Sequence, residues 1–260
     1  MRPAFFLPCL LILAAGPTRA ANVEGWEPWL SGATALTDGG SESDWRVNLG
    51  VGVGAAPDFP GSDDYEVVPL PLVDVAYRDT YFLSTQRGLG VVLFRSDLFR
   101  AGPRLTYDRG REESENIVLR GLGDIEPSVE AGVFVEYYRR SWRFSGDLRQ
   151  GLFDGHQGLI ASGSIAVGGR FSDASNLVLG AEIHAADSDY MNAYFGVGQA
   201  GAGAGIRDVG AYLDFVYLVT PNVYVTLDTR VSILLGDAAA SALTTEDLQY
   251  FLGTVVGYRF

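Results

Sequence analysis

Apolar and non-apolar positions alternate with period two along most of this chain. Residues 45 to 55 put Trp45, Val47, Leu49, Val51 and Val53 on one face and Arg46, Asn48, Gly50, Gly52 and Gly54 on the other. Residues 127 to 137 set Val129, Ala131, Val133, Val135 and Tyr137 against Ser128, Glu130, Gly132, Phe134 and Glu136. Residues 142 to 152 set Trp142, Phe144, Leu148 and Leu152 against Arg143, Ser145, Asp147 and Arg149. The same alternation recurs over 159–171, 177–185, 208–219, 223–235 and 252–260, where Arg170, Glu182, Asp214, Asp228 and Arg230 all fall on the less apolar face. The apolar face of these segments carries no charge. Strict alternation is the mark of strands with two different environments, and convincing helical periodicity is absent.

Segment length separates the two all-β architectures that alternate in this way. These runs reach about ten residues, the length a tilted membrane strand needs, whereas sandwich strands average about five or six. A soluble sandwich hides its apolar faces in a core; a membrane barrel turns them to lipid and points polar residues and glycines into the lumen. Aromatics near segment ends (Trp45, Tyr77, Tyr107, Tyr137, Trp142, Phe171, Tyr217, Tyr258) match interfacial girdles. Four weaker segments, 67–78, 80–85, 88–95 and 98–108, bring the count to twelve.

Connector lengths then alternate. Short ones lie near Asp79, Arg95-Ser96-Asp97, Arg139-Arg140-Ser141, 172–175 and 220–222; longer ones span 56–66, 109–126, 153–157, 186–207 and 236–248, with one tight exception near Gln86-Arg87. The expected fold is a transmembrane antiparallel β-barrel of twelve strands, with short periplasmic turns and longer external loops. An even count puts both ends in the periplasm. The last strand ends on Phe260, and Tyr258 and Phe260 are the candidate C-terminal signal for the barrel-assembly machinery.

The first 20 residues differ from the rest. Arg2 precedes an apolar run from Ala4 to Ala15, interrupted by Pro8, and Thr18-Arg19-Ala20 offers small residues for cleavage. This predicts a secretory signal peptide, 1–20, because the run is short of the roughly 20 residues of a span. Residues 21–44 form a periplasmic lead-in and 45–260 the barrel. Cys9, the one cysteine, lies in the signal, so the remainder has no disulfide or cysteine metal site. The chain is acidic, with a formal net charge of −13, and every basic residue is arginine. That balance argues against nucleic acid as a partner, which would require a basic footprint.

Candidate chemistry is sparse. Gly50, Gly52 and Ala55 fit a dinucleotide-type GxGxxA pattern, but Pro57 and Pro60 follow, so no helix N-terminus can receive a phosphate. His156 and His184 are the only histidines, too few without cysteine to suggest zinc. His184 lies on the strand next to Ser162 and Ser164, which raises a serine hydrolase, but no oriented base or oxyanion hole is legible. Asp58, Asp63, Asp64 and Glu66 lack calcium-loop spacing and read as a solvated acidic loop. No catalytic, cofactor or metal site is expected. The candidate functional feature is the lumen charge set, Glu130, Glu136, Arg143, Asp147, Arg149, Arg170, Glu182, Asp214, Asp228 and Arg230. It reads either as a pore constriction or as a network that fills a narrow barrel.

Several stretches together resemble the MipA/OmpV family of outer-membrane proteins. They are "PDFPGSDDYEVVPLP" (57–71), "YDRGREES" (107–114), "LRGLGDIEPSVEAG" (119–132), "DYMNAYFGV" (189–197), "LLGDAAASAL" (234–243) and the terminal "VGYRF"; Ala242 stands where the family pattern has proline. The resemblance implies residence in the outer membrane of a Gram-negative bacterium. It also implies a scaffold role linking a murein transglycosylase to a murein synthase, with outer-membrane lipid as the surrounding partner and no enzymatic activity. The alternatives are a porin-like channel for ions or small solutes, or a surface adhesin or antigen.

Overall fold

A computed structural model describes residues 44–198 and 200–260. The expected signal peptide and the expected periplasmic lead-in, up to residue 43, lie outside the described residues. The described residues form thirteen strand segments: β1 (Trp45–Pro57), β2 (Tyr65–Tyr77), β3 (Tyr81–Ser84), β4 (Gly88–Val91), β5 (Phe94–Arg95), β6 (Phe99–Asp108), β7 (Ser128–Arg139), β8 (Trp142–Gly151), β9 (Leu159–Ser172), β10 (Ser175–Ala186), β11 (Gly205–Leu218), β12 (Val223–Leu234) and β13 (Leu248–Arg259). Two short helices, α1 (Ser188–Phe195) and α2 (Gly236–Ala239), lie in the long loops.

Neighbours in sequence are antiparallel neighbours in space, and β1 pairs with β13 from Asn48↔Arg259 to Ala55↔Leu252. The sheet is therefore closed and needs no protected edge around most of its circumference. β4 and β5 form one stave in two pieces. Both pair with β6, but the register shifts by one residue between Gly90↔Arg104 and Phe94↔Ala101. Pro103 lies opposite that shift, where its missing N–H disturbs no regular ladder. The barrel thus has twelve staves, as the alternation predicts, with the expected strand over 88–95 interrupted at Val92–Leu93.

The period-two faces sort as a membrane requires. Val51 is 74% and Val67 76% exposed on the outside, and Leu83, Val133, Leu179 and Leu252 join them in an outward apolar belt. At the short-turn end the belt meets aromatics: the Trp45 and Tyr77 rings are 4.7 Å apart, as are those of Tyr258 and Phe260. Tight reversals of two or three residues are possible at that end because Arg78, Asp79 and Arg140 take positive φ. Asp79 then holds Arg46 at 2.9 Å.

The interior departs from the expectation of a lumen lined by polar residues and glycine. Val68, Leu70, Leu72, Val216, Tyr224 and Val255 form a buried apolar stripe inside the barrel. Three lumen glycines lie directly across a ladder from an aromatic: Gly180 from Tyr212, Gly257 from Tyr224 and Gly90 from Phe82. A Cβ on any of them would fall 2.2–2.3 Å from the ring. Those rings fold over the glycines and fill the bore. The glycines therefore serve packing rather than pore width. Gly52 makes a related approach, since a Cβ there would lie 2.0 Å from the Thr254 carbonyl oxygen.

Candidate functional site

The lumen charges meet in linked groups at mid-barrel. Alternation along β6, β7 and β8 brings Arg104, Glu130, Asp147 and Arg149 to the inside. Arg149 binds Glu130 at 2.7 Å and Asp147 at 2.8 Å, and Arg104 reaches Asp147 at 3.1 Å. Thr106 donates to Glu130 at 2.6 Å. Arg230 on β12 holds Glu182 on β10 at 3.1 Å. Nearer the turns, Arg143 donates to the Tyr212 hydroxyl at 2.9 Å and Tyr138 donates to Glu136 at 3.2 Å. Arg87 from the β3–β4 turn faces Asp74 at 3.5 Å. The expected charge set left out Asp74 and Arg104, whose segments alternate weakly, and Arg87, which lies in a turn outside the strand pattern. Arg170 departs from the set: it is exposed near the short turn after β9, where the strand has left the packed bore.

These side chains are buried, Glu130 and Asp214 each to 1% exposure. Charges that line a water-filled constriction would be wet. The arrangement is instead a packed polar layer in which most charges have partners.

The long-loop end is covered. α1 starts at Asp187, whose side chain accepts from the Tyr190 N–H, and it buries Tyr190, Met191, Tyr194 and Phe195 against Ile160, Ala202, Leu234 and Ala238. Tyr194 donates to Asp108 and Arg207 donates to the Tyr190 hydroxyl. Burial pushes both phenol pKa values up, so both stay protonated. The loop over 58–64 is tied to its neighbours: Asn116 bridges Asp58 and Asp64, and Thr245 and Glu246 donate to the Gly61 carbonyl. The acidic residues of that loop are thus engaged in loop contacts rather than gathered around a cation.

Two constellations have catalytic or metal-like composition. Ser162, His184 and Asp208 form a row across β9, β10 and β11, with His184 Nδ1 2.7 Å from Asp208. The structure therefore supplies the oriented base that the sequence did not show. Ser162 Oγ, however, makes no hydrogen bond, and the small cavity beside His184, about 70 Å³, does not include it. Nucleophile and base are not joined as hydrolysis requires. Asp108, Glu130 and His156 place ligand atoms within 4.8 Å of one another, the one such group among the described residues. Each is already used. Asp108 accepts from Tyr194 and the Gly110 N–H, Glu130 from Arg149 and Thr106, and His156 Nδ1 from the Gly158 N–H. A divalent ion would have to sit beside the Arg149 guanidinium, so the residues fit a hydrogen-bond network better than a metal centre.

At the last strand, the Tyr258 and Phe260 rings stand outward on the lipid face, exposed at 45% and 69%. The Phe260 N–H donates to the Val47 carbonyl and secures the end of the chain to β1.

The sequence profile of a family described as "MltA-interacting protein MipA" matches residues 49–260. No curated protein sequence matches the chain. Among solved structures, the KdgM porin aligns at TM-score 0.43 and 10% identity, covering 82% of this chain and 99% of its own. The NanC porin aligns at 0.45 and 9%, covering 82% and 100%. OmpT of Vibrio cholerae aligns at 0.37 and 13%, covering 84% and 97%.

Proposed function

Because the chain belongs to the MltA-interacting protein MipA family, we propose that this outer-membrane β-barrel is a scaffold for murein enzymes rather than a conducting pore. The observation that carries the reading is the packed bore. Loops and α1 cover one end, ion pairs cross the middle beside a side cavity of about 540 Å³, and Tyr138, Tyr212 and Tyr224 pack toward the other end. A lumen filled in this way gives up conduction and gains rigidity. A rigid barrel in the outer membrane holds its periplasmic turns at fixed spacing, which suits a docking platform.

The partner surface in this reading is the short-turn rim together with residues 21–44. Arg139 and Arg140 are exposed on that rim and give an otherwise acidic protein a cationic contact. The family's name supplies the partner class, a lytic murein transglycosylase. The test is pull-down of a purified transglycosylase by the full protein in detergent, beside a variant lacking residues 21–44 and a second carrying R139E/R140E. Retention by the full protein with loss in either variant supports the scaffold reading. No retention by the full protein overturns it.

A further inference from the structure

Most staves of the barrel run ten to fourteen residues, but β3 and β4 have four each. Their hairpin pairs with β2 only at Asp74 to Tyr77. Among the described residues, β2 from Tyr65 to Leu72 therefore has β1 on one side and no strand on the other. Across the gap, Thr106 to Asp108 of β6 pair with β7 alone. The wall is open above the hairpin.

The edge of the opening has a telling composition. The Thr85 N–H donates to the Val73 carbonyl, and the Val73 N–H meets Thr85 Oγ1. Odd-numbered residues of β2 thus aim their backbone groups into the gap. Two of them are Pro69 and Pro71, which have no N–H to leave unpaired in lipid.

A cavity of about 540 Å³ lies behind the opening, within the size range of small-molecule sites. Its rim includes Pro71, Leu83, Leu105 and Tyr107 from the lipid face, and its inner wall includes Leu70, Leu72 and Val255 from the lumen stripe. The cavity therefore passes through the wall. At its inner end Asp214 and Asp228 face one another across the β11–β12 ladder, both more than nine-tenths buried. Neither oxygen of Asp214, nor Oδ1 of Asp228, has a hydrogen-bond partner in the protein. The adjacent Arg230 points its Nε at Glu182 and leaves those oxygens without a hydrogen bond, although its charge acts on both aspartates and that of Arg143 on Asp214. Two facing buried carboxylates with open acceptors call for a donor that also brings positive charge.

We propose that the β2–β6 opening is a lateral port through which a single-chain amphiphile with a protonated amine head group enters from the membrane. The ammonium lies between Asp214 and Asp228, and the alkyl chain runs along Leu70, Leu72 and Val255 back to the lipid. Selectivity against an anionic head group is set at the inner end by the aspartate pair, while Arg109, Arg149 and Arg230 line other parts of the cavity. This site is independent of the scaffold reading, because it opens sideways and needs no axial passage.

The test uses the full protein in phosphatidylcholine vesicles and a long-chain alkylamine with a nitroxide on its chain. Electron paramagnetic resonance should show a motionally restricted population of about one amine per protein, above the boundary population given by nitroxide phosphatidylcholine. A nitroxide fatty acid and a nitroxide phosphatidylethanolamine should show only the boundary population. D214N/D228N, which preserves side-chain shape, should weaken the amine association about tenfold or more. Leu72→Trp should remove it by filling the cavity, with folding of both variants checked by heat-dependent gel mobility. Equal restriction of amine and fatty acid, selective retention of the two-chain lipid, or an amine population unmoved by D214N/D228N would each overturn the proposal.

Discussion

Arg149 on β8 grips Glu130 on β7 at 2.7 Å inside the barrel, while its Nε holds Asp147 at 2.8 Å on its own strand. One guanidinium therefore neutralises two carboxylates that are both buried. Removing it strands buried charge, whereas removing charge from both sides does not. Arg149→Met alone should cost about 3–5 kcal/mol, and R149M/E130Q should recover a large part of that loss. Urea unfolding of the protein in lipid vesicles measures both. Equal stability of the single variant and the parent would mean the layer is wet.

Gly180 lies under the Tyr212 ring, and a Cβ there would sit 2.2 Å from ring carbon Cζ. Gly180→Val should expel the ring and break its hydroxyl contact with Arg143, at about 1–3 kcal/mol as for overpacked cores. Gly169 on β9 has nothing within 4 Å of a built Cβ. Gly169→Val should stay within about 0.5 kcal/mol. The same unfolding measurement compares the two, and a matching loss at both positions would refute ring-over-glycine packing.

The loop over 109–127 should loosen as pH rises. Burial, with a smaller contribution from nearby Glu66, lifts the Glu115 carboxyl from 4.5 to about 7. Between those values the closed loop holds a proton that the open loop has released. The proton-linked stability of the closed loop is therefore full below pH 4.5 and lost as pH rises through about 7. Hydrogen exchange of amides 113–119, corrected for intrinsic rate, should accelerate between pH 5 and pH 8. Glu115→Gln should flatten the dependence.

The outward face can be tested by charge. Val51, at the middle of β1, is 74% exposed on the apolar belt. Val51→Arg should cost about 2–4 kcal/mol in a bilayer, as for arginine near the midplane of a barrel's lipid face. In the same unfolding assay, a negligible effect would mean that this face meets water.

Where the two faces of a segment differ strongly, the fold was legible. β1, β7, β8 and β10 to β13 alternate so cleanly that their sidedness follows from parity alone, and with the four weaker segments the alternating runs add up to the twelve staves. Parity could not say what the lumen side chains do with one another. Glycine beside aromatic is invisible as a pair until register sets Gly180 directly opposite Tyr212, a residue far along the chain. The row from Ser162 to Asp208 likewise needs three strands in register. β2 was the segment most easily misread. Its run Val67-Val68-Pro69-Leu70-Pro71-Leu72-Val73 is apolar on both faces, the signal of a strand that packs inside as well as out. That signal accounts for the buried stripe of Leu70 and Leu72 and for the proline edge.

Conductance of the purified protein in planar lipid bilayers tests the packed bore most directly. A bore filled by the Glu130, Asp147 and Arg149 layer predicts no stepwise current over many verified insertions, in the parent and in R149M/E130Q alike. Reproducible ohmic steps from the parent, with ion selectivity that changes on charge swap at Glu130 or Arg149, would contradict it.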